Sequence, residues 1–289
     1  MKKIYLVDDD EDDRMFARQA LESVTKDIEI VELTDGNQLL VVLEKNLCTD
    51  PSLVLMDMNM PLVNGMEALS ALKSRDEWRH IPVVLFSTSE NQNTVKQAYQ
   101  QGVNAYMVKP STFEGYIQMA HTVNLCFLNN YPSSSLKLDA AVSAGKNVVI
   151  IEDNPDHAEL MDFSLKKGIP GLNIIQHSSA ESAVSFFESL DQKASAAVDL
   201  IILDLYLPTR KHGLDLLAWI QISFASKSIP IAPIVVVSAS AHDQDIKASY
   251  GLQANAYLIK TAQPAQFFSY LTDLCYCWWN TIVFPRQAS

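Results

Sequence analysis

The feature that most constrains what this 289-residue chain can fold into is that it repeats itself at domain length. Ile4-Tyr-Leu-Val-Asp-Asp-Asp returns as Val148-Val-Ile-Ile-Glu-Asp-Asn, and Leu53-Val-Leu-Met-Asp57 returns as Leu200-Ile-Ile-Leu-Asp204. Asn104-Ala-Tyr-Met-Val-Lys109 returns as Asn255-Ala-Tyr-Leu-Ile-Lys260. The offset grows from 144 through 147 to 151, as loop insertions would make it grow between two copies of one domain. A short solenoid repeat would instead recur many times at a fixed period.

Within each copy, short apolar runs alternate with amphipathic stretches, the pattern of βα units around a buried parallel sheet. Strands are expected near 4–7, 28–33, 53–57, 83–87 and 105–108, and again near 147–151, 173–177, 200–204, 234–238 and 256–259. In the first copy, helices near 13–25, 36–46, 65–74, 93–101 and 112–129 separate them. The fold class expected is α/β: two flavodoxin-like doubly wound (βα)5 domains, each with parallel strand order 2-1-3-4-5. Tyr131-Pro-Ser-Ser-Ser marks a break. The expected division is a first domain over 1–131, a linker over 132–145 and a second domain over 146–289.

In such a sheet, ligands bind beyond the carboxyl ends of the strands, where the strand order reverses between the first and third strands. The polar residues of each copy fall there. In the first, Asp8 and Asp9 follow strand 1, Asp57 ends strand 3, Ser87 ends strand 4 and Lys109 follows strand 5. In the second, Glu152, Asp153, Asp204, Ser238 and Lys260 take the same places. Clustered carboxylates repel one another unless a cation sits among them, and oxygen ligands with room for water and phosphate oxygens suit Mg²⁺. A carboxylate can then attack phosphorus to form an acyl phosphate, with a lysine ammonium and a hydroxyl steadying the transferring group. An isolated acidic run such as Asp8 to Asp13 is ordinarily a solvated helix amino terminus, and Asp10, Asp12 and Asp13 are read that way. The recurrence of an acidic pair at Glu152-Asp153 sets Asp8 and Asp9 apart.

These residues, with Asp57-Met-Asn-Met-Pro61 followed by Gly65 and Tyr106 ahead of Lys109-Pro110, resemble the response-regulator receiver domains of two-component signalling. The second half repeats the match with Asp204-Leu-Tyr-Leu-Pro208 followed by Gly213, Ser238-Ala239, and Tyr257 ahead of Lys260. The resemblance implies that Asp57 and Asp204 are phosphoacceptors, assisted by Ser87 and Lys109 and by Ser238 and Lys260. It implies Mg²⁺ sites at Asp8, Asp9, Asp57 and Asn59, and at Glu152, Asp153, Asp204 and Tyr206. Switch positions would be Thr88 and Tyr106 in the first half and Ala239 and Tyr257 in the second. Each tyrosine also reads equally well as a half-buried core aromatic.

Several positions depart from the family's pattern. The first copy has Thr88 where a small residue is usual. The second has bulky Tyr206 two places after the phosphoacceptor, one extra residue between Pro208 and Gly213, and Thr261 in place of the proline after the lysine. A haloacid-dehalogenase-type phosphatase also uses an aspartyl nucleophile on a doubly wound sheet, but it needs a second aspartate two positions on. Asn59 and Tyr206 stand there instead.

The formal net charge of −12 disfavours nucleic-acid and anionic-membrane partners. Cys48, Cys126, Cys275 and Cys277 show neither a disulfide framework nor metal spacing, which suits free thiols in a reducing cytoplasm. No apolar run reaches spanning length, and the expected location is cytoplasmic. The partner implied is a sensor histidine kinase or a histidine phosphotransfer protein, without enzymatic turnover beyond self-phosphorylation and dephosphorylation. The chain closes shortly after Pro285, so output by protein contact is expected, with a pseudo-receiver scaffold or phosphate sink as the alternative. The aromatic stretch from Trp278 to Phe284 exceeds what one helix face needs and resembles the extensions of phytochrome-associated receiver-only regulators. It suggests a homodimer or intramolecular receiver pairing through the C-terminal helix.

Overall fold

The structure, a computed structural model, describes residues 2–45, 52–128, 145–190, 198–226, 232–261 and 264–285. Its contacts form two units: Met1–Ser133 with Thr281–Pro285, and Ser134–Asn280 with the last four residues. The linker expected over 132–145 lies, apart from Gly145, outside the described residues.

In the first unit the strands are β1 (Lys2–Val7), β2 (Ile28–Leu33), β3 (Leu53–Asp57), β4 (Val83–Ser87) and β5 (Ala105–Val108). They alternate with α1 (Glu11–Val24), α2 (Gly36–Lys45), α3 (Gly65–Ser74), α4 (Gln92–Gln100) and α5 (Phe113–Phe127). The second unit holds β6 (Asn147–Ile151), β7 (Asn173–His177), β8 (Leu200–Asp204), β9 (Ile234–Ser238) and β10 (Ala256–Ile259). Its helices are α6 (Pro155–Gly168), α7 (Ala180–Ser189), α8 (Arg210–Ser226), α9 (Asp243–Gly251) and α10 (Pro264–Thr281). Both sheets are parallel, ordered β2-β1-β3-β4-β5 and β7-β6-β8-β9-β10. The expected flavodoxin-like architecture is therefore present twice.

The central strands explain why the sequence reads so clearly. Every residue of β3, β4, β8 and β9 is buried, so helices on both faces demand unbroken apolar runs. The edge strands β2 and β7 are only partly buried and carry Glu29, Glu32 and Gln176 among their apolar residues. Helix starts are equally local in origin. Asp10 caps α1 by accepting from the amides of Asp12 and Asp13, and Asn154 does the same for α6 ahead of Pro155. Asn64 and Glu67 form a reciprocal capping box on α3.

Glycine is required where α3 and α8 press on the strand ends. A Cβ on Gly65 would overlap the carbonyl oxygen of Asp57, and one on Gly213 would overlap that of Leu205. Each glycine thus lets a helix start directly against the loop that follows β3 or β8. Of the cysteines, Cys126, Cys275 and Cys277 are buried, and Cys48 lies outside the described residues.

Residues 281–285, placed by sequence in the second domain, cluster with the first unit. Ile282 bridges antiparallel to Met107, and the Val283 amide donates to the Tyr106 carbonyl at 2.8 Å. The Phe284 ring stacks on Tyr99 with centroids 4.5 Å apart. The tail thus covers the edge strand β5, whose outer backbone groups would otherwise be unpaired.

A second repeated device ties β4 to β5. Asn104, 1% exposed, accepts the Val83 amide through Oδ1 at 2.8 Å while its own amide donates to the Val83 carbonyl at 3.0 Å. Asn255 does the same with Ile234, at 2.9 and 2.8 Å. Replacing either side chain by alanine strands a buried amide, which costs about 1–3 kcal/mol. Asn104→Ala and Asn255→Ala should therefore each lower stability by that amount in denaturant unfolding. A loss below about 0.5 kcal/mol would mean that water takes over the amide.

Candidate functional site

The carboxyl ends of β1, β3 and β5 bring the first set of residues together. Asp8 is buried at the end of β1, Asp9 beside it is exposed, and Asp57 closes β3 with 4% exposure. Carboxylate oxygens of all three lie within 4.8 Å of one another. Lys109, just past β5, reaches across the sheet so that Nζ lies 2.8 Å from Asp8 Oδ2 and 2.9 Å from Asp57 Oδ1. The Asn59 amide donates to Asp57 Oδ2 at 2.7 Å, fixing the second carboxylate oxygen.

Asp13 requires a correction. Read from sequence as a solvated helix terminus, it sits 2.9 Å from Lys109 Nζ and accepts the Tyr116 hydroxyl at 2.6 Å. Its place one helical turn from Asp9, on the face of α1 toward β5, was the only available signal, and charge alone did not distinguish it from Asp12. Burial works to raise its carboxyl, but the Tyr116 hydroxyl and the Lys109 ammonium outweigh this and hold it below the usual carboxylate value. Burial likewise works to lower the lysine, yet hydrogen bonds to Asp8, Asp13 and Asp57 raise it well above its ordinary value. Lys109 is a fixed cation. Burial raises the Asp8 carboxyl despite that lysine.

The second unit builds the same centre with different neighbours. Lys260 Nζ lies 2.8 Å from Glu152 Oε2 and 3.1 Å from Asp204 Oδ2. Carboxylate oxygens of Glu152, Asp153 and Asp204 again fall within 4.8 Å of one another. Burial first, and then the charge of Asp204, raises Glu152. His157 takes the place of Asp13 and approaches Glu152 Oε1 at 3.4 Å, while Phe267 takes the place of Tyr116. The acid and its phenol partner have been exchanged together.

The expected switch residues also converge. Ser87 and Ser238 are fully buried, and their Oγ atoms accept the amides of Ser89 and Ser240, each at 3.1 Å. Thr88 and Ala239 are exposed at the mouths of the two sites. Tyr106 and Tyr257 are wholly buried, with hydroxyls donating to the Ser89 carbonyl at 2.7 Å and the Ser240 carbonyl at 2.9 Å. Both tyrosines are thus core aromatics whose polar ends hold the loop that follows the hydroxyl residue. Burial raises the Tyr257 phenol to about 12, keeping it a donor at neutral pH.

The donor set fits a hard divalent cation. Each cluster offers only oxygens, at least one of them solvent-facing, and the extra negative charge is not fully matched by one lysine. Asn59 and Tyr206 stand at the rim, both exposed. The Tyr206 hydroxyl donates to Asp245 Oδ2 at 3.2 Å, so any ligand atom offered by that position is a backbone one.

Comparison with known proteins identifies the family. The model of the response regulator receiver domain matches twice, over residues 4–121 and 148–272. Response regulator Rcp1 of Synechocystis sp. is 30% identical over 131 residues, which span 44% of this chain and 89% of that protein. The probable methanogenesis regulatory protein FilR2 of Methanothrix harundinacea is 36% identical over 114 residues, 38% of this chain and 74% of that one. Among solved structures, the Mn(2+)-bound form of Rcp1 aligns with 47% of this chain and 99% of its own, at 28% identity and a TM-score of 0.42. With two such matches along one sequence, this chain belongs to the response regulator receiver family and is a two-component response regulator built on tandem receiver domains.

Proposed function

We propose that Asp57 and Asp204 each accept a phosphoryl group from a histidine kinase or histidine phosphotransfer protein. The observation that carries the reading is the lysine at the end of each fifth strand, held against the carboxylates that end the first and third strands. An Oδ atom of the aspartate attacks phosphorus in line. The new bond is an acyl phosphate, the phosphorus–nitrogen bond of the donor breaks, and its electron pair and a proton stay with the imidazole.

This chain's residues supply most of what that transfer needs. Lys109 and Lys260 neutralise charge on the moving group, and the Ser87 and Ser238 hydroxyls can donate to one of its oxygens. The amides of Asn59 and Tyr206, bonded to Asp57 Oδ2 and Asp204 Oδ1, fix one oxygen of each carboxylate, and the other faces the lysine. Asp8 and Asp9, and Glu152 and Asp153, would hold Mg²⁺ with the phosphoacceptor. Bound there, the cation would offset the charge of phosphoryl oxygens beside the carboxylates. Output through contact with another protein fits the net charge of −12, which disfavours a phosphate backbone as target.

Incubation with acetyl phosphate and Mg²⁺ should give acid-labile label on both aspartates, and chelation of the metal should abolish it. Asp57→Ala and Asp204→Ala should each leave about half of the label, and the double variant none. Full labelling of Asp204→Ala would remove the second site from the proposal.

The two phosphates should also differ in lifetime. Hydrolysis needs a water in line with phosphorus, and each tenfold change in its rate corresponds to about 1.4 kcal/mol in the barrier. In receivers the residue two places after the phosphoacceptor borders that approach; here it is small Asn59 at the first site and Tyr206 at the second. Measured in the single-aspartate variants, the Asp204 phosphate should outlive the Asp57 phosphate, and Tyr206→Asn should shorten it. Equal decay, or no effect of Tyr206→Asn, would contradict the shielding.

A further inference from the structure

Three of the places where the second receiver departs from the first around its acidic centre meet at one carboxylate, that of Asp245. Tyr206 stands where the first receiver has Asn59. Arg210 falls in the stretch that is one residue longer between Pro208 and Gly213 than between Pro61 and Gly65. Asp245, seven residues after Ser238, stands where the first receiver has Thr94 seven residues after Ser87.

Asp245 is 4% exposed although it lies in the first turn of α9. Its Oδ2 accepts the Tyr206 hydroxyl at 3.2 Å and also the Ser240 hydroxyl, while Oδ1 receives Arg210 Nε. Arg210 reaches on to the carbonyl of Gln244 at 3.3 Å. A carboxylate enclosed in this way, with every partner a donor, is a fixed post rather than a solvated helix-terminal charge.

What it fixes lies beside the reacting atom. The Tyr206 amide donates to Asp204 Oδ1 at 3.3 Å, so this side chain springs from the rim of the site. Tyr206 is 40% exposed, and a ring this open to water would otherwise change rotamer freely. Tethered at its far end, it stays in one place.

We propose that Asp245 is a positioning residue of the second receiver: by anchoring the Tyr206 hydroxyl it holds the ring as a standing wall beside Asp204 and slows loss of the phosphoryl group. The inference rests on the proposal that Asp204 is a phosphoacceptor. It adds that the shielding requires the tether and not merely the bulk of the ring. The first receiver, with Asn59 and Thr94, has neither ring nor post.

A double-mutant cycle on the full chain carrying Asp57→Ala separates these possibilities. The protein is labelled with acetyl phosphate and Mg²⁺, the donor is removed, and decay of the Asp204 phosphate is followed in the parent, Tyr206→Phe, Asp245→Asn and the double variant. Tyr206→Phe keeps the ring and removes only the tethered hydroxyl. Each single variant should speed decay by about threefold or more, and the double variant should decay no faster than the faster single one. Additive effects, or an unchanged rate in Tyr206→Phe, would overturn the tether, and the latter holds even if Asp245→Asn fails to fold. A parent that takes no label would refute the phosphoacceptor assignment itself, and the inference with it.

Discussion

Everything about these two sites depends on a lysine reaching from the last strand to the carboxylates of the first and third. Two carboxylates about 4 Å apart repel by roughly 4 kcal/mol at the effective dielectric of a protein surface, about 20. Lys109 faces three such groups and Lys260 two, all within 3.1 Å. Ion pairs of this kind are poor sources of stability, because dehydrating the charges offsets the attraction. Their value is that they assemble negative charge at one point and leave it incompletely matched, as a centre that takes up a cation and a phosphoryl group requires. The doubly wound sheet makes the assembly possible, since its strand order places the ends of β1 and β3, and of β6 and β8, side by side.

The strands and both acidic centres were legible in the sequence because their physical signals are local. Leu53 to Met56 and Leu200 to Leu203 are apolar throughout since both faces of their sheets are covered. The catalytic-type residues sit one or two places past such runs, so locating the runs located the residues. Repetition supplied what a single copy lacks, separating Asp8 and Asp9 from the other acids of their run. The same logic did not reach Asp13. Its role arises from Tyr116 and Lys109, about a hundred residues away, and its counterpart in the second half is a histidine, so repetition offered no sign of it. Asp245 was hidden similarly, because an aspartate in a first helical turn is ordinarily a dipole partner. The destination of residues 281–285 was not legible either: an apolar tail shows that it will be covered, not by what.

The differences between the two receivers are correlated rather than scattered. Asp13 and Tyr116 are replaced together by His157 and Phe267, and Asn59 and Thr94 together by Tyr206 and Asp245. Each exchange swaps both ends of a contact or creates both ends of a new one. The lysine, an acidic pair, the aspartate that ends the third strand and the serine are present in both. The residues proposed to carry the chemistry are thus kept twice, and those around them differ.

The central claim is that each lysine-bound cluster is a working phosphoacceptor centre, and the lysines test it most directly. Beryllofluoride, which mimics an aspartyl phosphate without a covalent step, would be titrated in the presence of Mg²⁺ by fluorine NMR on the intact chain, Lys109→Ala and Lys260→Ala. The account predicts two bound resonances for the intact chain and the loss of one, a different one, in each variant. A single resonance in the intact chain, or two that persist in both variants, would contradict it.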